Sequence, residues 1–211
     1  MIMNAHEDVR PGDGLTIEVA DTLTKILQCI IPAMFRAQQP WALMGSLASV
    51  LQGMPDYTPP DIDLVATAHG AYEMEDCLSE LGKTIRSVSL STAGPYTSHF
   101  GIFDVDDVKV EVMGDLIIKC DDGSLDTADH WSRWSQRVRV LHFRDMHIPV
   151  VPLEWQIVAN ALLRRPERVT GCAKQLLATG YDRAYLDTIL ADQNYGERTL
   201  HIVREALHLD D

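Results

Sequence analysis

Three acidic residues in strand-like settings constrain this chain more than any other feature. Asp61 and Asp63 flank an isoleucine at the start of an apolar run, and Glu111 lies between two valines. Side chains at positions i and i+2 of a strand point to the same side. Asp61 and Asp63 are therefore expected to face one pocket while the isoleucine enters the core. Glu111 could join them from a neighbouring strand, so the pattern predicts three converging carboxylates.

Such a cluster has a specific chemistry. Converging carboxylates repel one another unless a cation lies between them. Mg²⁺ prefers hard oxygen ligands and keeps positions for water and phosphate, and a pair of ions can activate one oxygen and stabilise the leaving one in phosphoryl transfer. An Asp-x-Asp pair alone is weak evidence, because acidic turns beside strands are common. Together the acids predict a two-metal Mg²⁺ site at Asp61, Asp63 and Glu111.

A glycine–serine turn upstream supplies the complementary part of a nucleotide site. Gly45 and Ser46 follow an apolar strand predicted over residues 42–45 and precede a helix predicted over residues 47–51. Glycine lets the backbone approach a phosphate closely, and a serine at a helix start offers its hydroxyl and free N–H groups to an anion. The turn and the metal site together predict a binding site for a triphosphate. No Gly-x-Ser-x-Gly elbow is present, so Ser46 is not expected to be a hydrolase nucleophile.

The hydrophobic pattern predicts an α/β (α+β) fold, in which a mixed sheet with flanking helices is followed by a C-terminal helical region. Helical spacing of apolar residues extends over residues 16–37 and 71–81. The predicted strands cover residues 62–66, 85–90, 98–105, 108–113, 138–143 and 146–151. Asp106-Asp107 predicts a hairpin turn, and residues 121–124 predict a loop. We expect a core over residues 1–151, with a flexible tail at 1–14, and a helical region over residues 152–211.

Charge and composition narrow the classes of partner. The formal net charge is −13, so extended duplex nucleic acid is not expected to bind. Arginines cluster at positions 133, 137, 139 and 144 and again at 164, 165 and 168; solvated faces are the simplest reading of both groups, and a small anionic ligand is also compatible. No apolar run is long enough to span a bilayer, and residues 1–14 do not resemble a secretory signal. The cysteines are scattered, and most of them lie near apolar neighbours. We expect reduced core residues rather than disulfides, which favours a cytoplasmic location.

Two further sets of residues have competing interpretations. His99 lies on the predicted strand before that of Glu111 and could face the same pocket, where it could contact substrate or transfer a proton. A half-buried histidine without a catalytic role is the more common outcome. His130, Trp131 and Trp134 fit an amphipathic helix that packs on the sheet better than a ligand-stacking platform.

The combination of Gly45-Ser46, Asp61-Ile62-Asp63 and Glu111 resembles the signature of the DNA polymerase β-type nucleotidyltransferase superfamily, in its small prokaryotic branch. The resemblance covers about residues 38–180. It implies a nucleotidyltransferase-type mixed sheet, with both aspartates as metal ligands and Glu111 as ligand or base. It implies that Gly45 and Ser46 bind the β- and γ-phosphates of an NTP. The implied reaction is Mg²⁺-dependent transfer of a nucleoside monophosphate to a hydroxyl acceptor, with release of pyrophosphate.

The chain departs from that family where cations are usual. Many members have Arg or Lys directly after the Gly-Ser or before the Asp-x-Asp, and their C-terminal helices often carry lysines. The corresponding positions here hold Leu47, Ala48, Tyr57, Thr58, Asn160 and Glu167-Arg168. Arg164, Arg165 or Lys174 could hold the triphosphate instead. The alternative is a catalytically inactive binding or regulatory module with a protein partner, for example in a toxin–antitoxin pair. The acceptor and the preferred NTP are not encoded in any motif.

Overall fold

A single mixed sheet organises the described part of the protein. The computed structural model describes residues 21–54, 57–127, 138–191 and 194–209. The strands are β1 Trp41–Met44, β2 Ile62–Ala66, β3 Lys83–Ala93, β4 Tyr96–Val105, β5 Val108–Cys120, β6 Gly123–Asp126, β7 Arg139–Phe143 and β8 Met146–Val150. They lie in the order β3-β4-β5-β2-β1-β8-β7, and β6 pairs with β5 outside this path. The predicted α/β class with a mixed sheet is therefore confirmed.

Three central strands set the position of the acidic residues. β2 pairs antiparallel with β1 and parallel with β5. The register aligns Met44 with Asp63 and Asp63 with Glu111. The apolar neighbours of the acids, among them Ile62 and Val110, are fully buried. Alternation along each strand thus sends the valines and isoleucines into the core and leaves the carboxylates on the opposite face.

Helices flank the sheet and then dominate the C-terminal part. They are α1 Asp21–Arg36, α2 Gly45–Leu51, α3 Ala68–Ser79, α4 Leu153–Leu162, α5 Pro166–Thr179, α6 Arg183–Leu190 and α7 Glu197–Ala206. α4 is buried along its whole length, because it packs against α5, α6 and α7 as well as against α2. Helices were predicted throughout this region, and the structure has them; the proposed division into a core to residue 151 and a region from residue 152 stays a prediction.

Most element predictions hold, and the exceptions have local causes. Strand β2 has the predicted bounds, and the hairpin turn at Asp106 and Asp107 is present, with φ angles of 50° and 63°. The loop predicted at residues 121–124 is wrong in its second half, because Gly123 and Ser124 pair with the end of β5. Strands β3 to β5 are longer than predicted, since β3 and β4 form a second long hairpin around Gly94.

Other features bear on the remaining expectations. The four cysteines are free thiols, so the expectation of reduced residues is confirmed. Cys172 is buried, Cys77 and Cys120 are partly buried, and Cys29 is exposed, so the expected core position is confirmed fully only for Cys172. Within the described ranges, no helix is long and apolar enough to cross a membrane. The predicted tail at residues 1–14 and the predicted helix with His130, Trp131 and Trp134 lie outside the described residues.

Candidate active site

The structure brings the three acidic residues together at one edge of the central strands. Asp63 lies within β2 and Glu111 lies opposite it on β5. Asp61 lies one residue before β2, in the bend that follows Pro60, rather than inside the strand. Each residue offers a carboxylate oxygen, and these oxygens all lie within 4.8 Å of one another. That spacing is compatible with shared coordination of a divalent cation.

A lysine neutralises part of this charge. Lys109 precedes Glu111 by two positions on β5, so both side chains leave the same face of the strand. Its Nζ lies 2.8 Å from Oδ2 of Asp61 and 2.9 Å from Oε1 of Glu111. Hydrogen bonds to these two carboxylates raise the pKa of Lys109 above its ordinary value. The ammonium therefore stays charged and acts as a counter-ion for the acids.

Asp63 is the most perturbed acid of the site. Burial raises the pKa of Asp63 from 3.8 to about 7, and repulsion by Asp61 and Glu111 adds to the effect. Attraction by Lys109 and Arg168 opposes the rise without cancelling it. Carboxylates that are grouped to bind a cation repel one another when no cation lies between them, and this repulsion raises their pKa values. The raised pKa of Asp63 fits such a site. The donor set, three carboxylates with limited exposure, thus fits a divalent metal.

The Gly45-Ser46 turn lies directly against the acids. Gly45 has a φ of +71°, a conformation that side chains rarely adopt. A Cβ at this position would collide with Oδ2 of Asp63, so the turn can approach the carboxylate only as glycine. Ser46 is 3% exposed, and among the described residues its hydroxyl has no hydrogen-bond partner. α2 begins here without a side-chain cap, and its seven residues make it a short helix.

These groups line one cleft with a volume of about 330 Å³. The acids and the turn lie at one end, and strands β3 to β5 form a floor that continues beyond them. One side of α4 and the start of α5 form a wall, which contributes Trp155, Asn160, Arg165 and Arg168. The cleft therefore extends beyond the acid cluster along the floor and the wall.

Two arginines of the wall are held in place by tyrosines. Arg168 donates a hydrogen bond of 2.7 Å to the hydroxyl of Tyr57, and its guanidinium lies 5.1 Å from the centre of that ring. Arg165 donates a bond of 2.6 Å to the hydroxyl of Tyr96. Burial raises the pKa of Tyr96 above its ordinary value, although both arginines act in the opposite direction. Arg168 brings positive charge to the acid end of the cleft, where it acts on the pKa of Asp63, whereas Arg165 lies beside Tyr96, farther along the floor.

Of the two wall arginines, only Arg165 was predicted from the sequence to bind phosphate. Arg165 was among the predicted candidates and lines the cleft, whereas Arg164 and Lys174 are not lining residues. Arg168 was noted only as a family position and as a member of a basic cluster. Tyr57, which occupies a position where a cation is usual in the family, holds Arg168 instead. Contacts between residues so far apart in the chain leave no signal in a local sequence pattern.

His99 does not face the cleft. On β4 the residues paired with the cleft side of β5 are Ile102 and Phe100, so the intervening odd-numbered positions point to the opposite face. There the Nδ1 atom of His99 lies 3.1 Å from the hydroxyl of Tyr72 on α3. The catalytic alternative for His99 is wrong, and the half-buried, hydrogen-bonded alternative is confirmed. Ser98, the preceding residue, lines the cleft instead.

Arg139, from the first basic cluster, has a structural partner. Its guanidinium forms an ion pair of 2.5 Å with Oε1 of Glu154, which is fully buried at the start of α4. The same oxygen accepts a hydrogen bond from the backbone N–H of Asp182. This pair joins β7 to the helices and lies apart from the cleft lining. Arg133 and Arg137 are outside the described residues.

Comparison with known proteins finds a family of adenylyltransferases and solved structures of nucleotidyltransferases. The family model of aminoglycoside-2''-adenylyltransferase matches residues 26–182. A protein of Thermotoga maritima assigned to the nucleotidyltransferases, known from its crystal structure, is 31% identical. The match covers 75% of this chain and 94% of that chain, with a TM-score of 0.61. No match was found among curated protein sequences.

More distant solved structures were also found. The ANT(2'')-Ia structure in complex with adenylyl-2''-tobramycin is 11% identical, covers 89% of this chain and 97% of its own, and has a TM-score of 0.42. The lincosamide antibiotic adenylyltransferase LnuA, bound to lincomycin, is 14% identical. It covers 91% of this chain and 99% of its own, also with a TM-score of 0.42.

Proposed function

Because the chain belongs to the aminoglycoside-2''-adenylyltransferase family and is a nucleotidyltransferase, we propose that it transfers a nucleoside monophosphate from an NTP to a hydroxyl acceptor. Mg²⁺ is the proposed cofactor, and pyrophosphate is the proposed leaving group. The observation that carries this proposal is the convergence of three carboxylate oxygens within 4.8 Å of one another, beside a glycine turn that no other residue could form.

Asp61, Asp63 and Glu111 are the proposed metal ligands. Bound there, Mg²⁺ would neutralise charge on the phosphates and lower the pKa of the acceptor hydroxyl. The carboxylates themselves supply the negative charge that selects a divalent cation. Lys109, which contacts two of them, is expected to yield its position to the metal because its side chain is long and 47% exposed. The raised pKa of Asp63 makes a nearby positive charge favourable at neutral pH.

The phosphates are expected to lie between the turn and the wall. Gly45 brings the backbone close to the acids, and the unpartnered hydroxyl of Ser46 offers a donor to a phosphate oxygen. Arg168 is close enough to Asp63 to influence its pKa, which supports a role for this guanidinium in binding the triphosphate. Arginine suits that role because its planar donors match phosphate oxygens in pairs.

The proposed reaction is an in-line displacement at the α-phosphorus. The acceptor oxygen forms a bond to this atom, while the bond to the oxygen that bridges the α- and β-phosphates breaks. Pyrophosphate leaves with the bonding electron pair. The proton of the acceptor hydroxyl passes to the carboxylate of Glu111, which lies at the side of the cluster nearest the open floor of the cleft.

The alternative of a catalytically inactive binding or regulatory module was based on the absence of Arg or Lys at positions where the family usually has them. Arg165 and Arg168 bring two guanidiniums to the cleft, and Tyr57 orients one of them. The acid cluster is also complete. No specific observation favours a binding module or a protein partner, so we propose the enzyme alone.

Transfer of label from α-³²P-labelled NTPs tests the proposed function. Each common NTP is incubated with Mg²⁺ and a panel of hydroxyl acceptors, and pyrophosphate release is followed in parallel. We expect Asp61→Asn to reduce both signals at least about a hundredfold, because one ligand of the metal is lost. The matched control is Asp106→Asn, at the exposed turn between β4 and β5. Equal rates in wild type and Asp61→Asn would refute the assignment, and so would the absence of transfer with every NTP.

A further inference from the structure

Helix α4 presents one face to the cleft. The lining residues of this helix and of its C-terminal cap recur at the spacing of one helical face: Trp155, Gln156, Ala159, Asn160 and Leu163. Three of them are apolar, and the other two carry primary amides. Gln156 is 3% exposed and Asn160 is 7% exposed. The wall of the cleft is therefore an apolar surface in which two nearly buried amide groups lie one helical turn apart.

Hydrogen bonds to backbone carbonyls fix the orientation of both amides. The Nε2 atom of Gln156 donates a bond of 3.3 Å to the carbonyl oxygen of Val151. The Nδ2 atom of Asn160 donates a bond of 2.8 Å to the carbonyl oxygen of Gln156. A carbonyl oxygen only accepts hydrogen bonds, so the NH₂ group must take this position in each amide. The amide oxygen is consequently the group that each side chain has left for another partner.

The two amide oxygens are acceptors that lack donors. Within the described part of the chain, no N–H or O–H group donates to Oε1 of Gln156 or to Oδ1 of Asn160. Neither oxygen is sealed in the interior, in contrast with Oε1 of Gln52, which is buried without a partner. Both residues line the cleft, so a ligand there can reach their oxygens. Because a nearly buried acceptor is costly to leave unpaired, a ligand that donates to it is favoured.

The amides are held at a fixed position relative to the phosphate turn. The carbonyl oxygen of Val151 accepts a bond from Gln156 and another from Nε2 of Gln52, the residue that caps α2. The N–H group of Val151 donates a bond of 2.9 Å to the carbonyl oxygen of Leu43, in the strand that leads into Gly45. These bonds join α4 to β1 and α2. A group bound by the amides therefore keeps a set distance from a phosphate bound at the turn.

The chemistry of the amide oxygens selects one kind of ligand group. They accept hydrogen bonds from N–H and O–H groups and cannot pair with a phosphate oxygen, which is itself an acceptor. An amino group has two N–H donors for the two oxygens, whereas a hydroxyl group has one. The apolar neighbours on α4 strengthen such bonds, because a low local dielectric increases their electrostatic energy.

We propose that Gln156 and Asn160 form an amino-binding subsite, in which their side-chain oxygens accept hydrogen bonds from an amino group of a substrate. The proposal rests on the proposed function, since it names a specificity determinant in the cleft of that reaction. The base of the NTP and the acceptor are the two sources of the amino group, and both offer the same donors. Gln156 and Asn160 thus determine specificity, while the acids and the Gly45-Ser46 turn perform the transfer.

Nucleotides that differ by a single amino group test the first source. ATP, GTP and CTP are compared with the triphosphates of purine riboside, inosine and zebularine, which lack only that group. Dissociation constants are measured by calorimetry on the full chain with Mg²⁺. If the base supplies the amino group, at least one amino nucleotide should bind about tenfold more tightly than its partner, as expected for two hydrogen bonds between neutral groups.

Small hydroxyl compounds test the second source. trans-4-Aminocyclohexanol and trans-4-methylcyclohexanol share a ring and a hydroxyl group, and only the first has an amino group. Their binding is measured by ligand-observed NMR, with Mg²⁺ and a saturating non-hydrolysable ATP analogue. If the acceptor supplies the amino group, the aminocyclohexanol should bind about tenfold more tightly.

Substitutions that remove or keep the oxygens connect the preference to the two residues. Gln156→Met and Asn160→Leu have similar shapes without an oxygen; each should reduce the amino preference about threefold, and the double variant should abolish it. Asn160→Asp keeps an acceptor oxygen and should retain the preference. A purely structural role would change the binding of both members of a pair equally and leave their ratio unchanged. Gln28→Met, at an exposed position of α1, is the matched control and should keep the wild-type ratio.

The outcomes separate this subsite from the function on which it rests. A preference of about tenfold in either comparison that disappears in the double variant supports the subsite, and the comparison that shows it identifies the source. Equal binding within every pair, or a preference that survives in the double variant, would overturn it. Transfer of label without any amino preference leaves the proposed function standing and the subsite wrong. An amino preference without transfer from any NTP does the reverse.

Discussion

Replacing Asp63 by asparagine tests the electrostatic cost that the acid cluster imposes on the fold. Burial and two neighbouring carboxylates raise the pKa of Asp63 from 3.8 to about 7. Because the folded protein binds this proton more tightly than the unfolded chain, the free energy of unfolding falls as the pH rises through that interval. Asparagine has nearly the same shape and carries no charge. The variant should therefore be more stable than the wild type above pH 7.

The magnitude follows from the size of the rise. One pKa unit corresponds to about 1.4 kcal/mol, so a rise from 3.8 to about 7 sets an upper bound of about 4 kcal/mol on the destabilisation. Water in the open cleft screens the charges and Lys109 neutralises part of them, so we expect roughly half of that bound, about 2 kcal/mol. For a chain of this length, 1 kcal/mol moves the Tm by about 2–4 °C. Asp63→Asn should thus melt about 4–8 °C above the wild type at pH 8.

Thermal unfolding followed by circular dichroism at pH 5 and pH 8, in EDTA, measures the difference. Most of the gain should disappear at pH 5, where the folded wild type already carries the proton on Asp63. Added Mg²⁺ should raise the Tm of the wild type more than that of the variant. Asp106→Asn is the control, because it removes one charge at an exposed turn. A variant that melts at or below the wild-type temperature at pH 8 would refute the reasoning.

Three further substitutions test individual contacts. Lys109→Met should raise the affinity for Mn²⁺ without nucleotide about fivefold, since the ammonium no longer competes for two carboxylates; calorimetric titration would contradict this if the affinity fell. Tyr57→Phe removes the hydroxyl that orients Arg168 and should raise the KM for NTP about fivefold with little change in kcat, whereas an unchanged KM would exclude this role. Gly45→Ala should lower the free energy of unfolding by more than about 2 kcal/mol in denaturant titrations, because strain at positive φ adds to a steric clash. Gly180→Ala, which has a φ of +82° but open space around the added methyl group, should cost less, and equal losses would argue against the clash.

Local patterns predicted the parts of the fold that depend on local structure. The alternation around Asp63 and Glu111 predicted their strands and the face they occupy, because one buried face of a strand dictates the other. The acidic turn at Asp106 was also predictable, since aspartate tolerates the left-handed conformation better than most residues. These features are determined within about ten residues of chain, so the sequence alone is sufficient.

The rest of the site depends on contacts between distant segments. Arg168 reaches Tyr57 across 111 positions, and Arg165 reaches Tyr96 across 69. Arg86 joins the cleft only because β3 pairs with β4 in one register, which includes irregularities on either side of it. The contact between Lys109 and Glu111 could have been predicted from the sequence, because Lys109 lies two residues before Glu111 and therefore on the same face of the strand. The positions of the basic side chains in the cleft therefore depend on contacts between strands and helices that are distant in the chain. No single segment of the sequence predicts these positions.

Calorimetric titration of ATP into the protein, with Mg²⁺ and then with EDTA, tests the central claim most directly. We expect wild-type protein to bind ATP only in the presence of Mg²⁺, and Asp63→Asn to lose most of that metal-dependent binding while remaining folded. Asp106→Asn should bind as the wild type does. Equal ATP binding by wild type and Asp63→Asn, or binding that ignores the metal, would contradict the assignment of Asp61, Asp63 and Glu111 as the metal and nucleotide site.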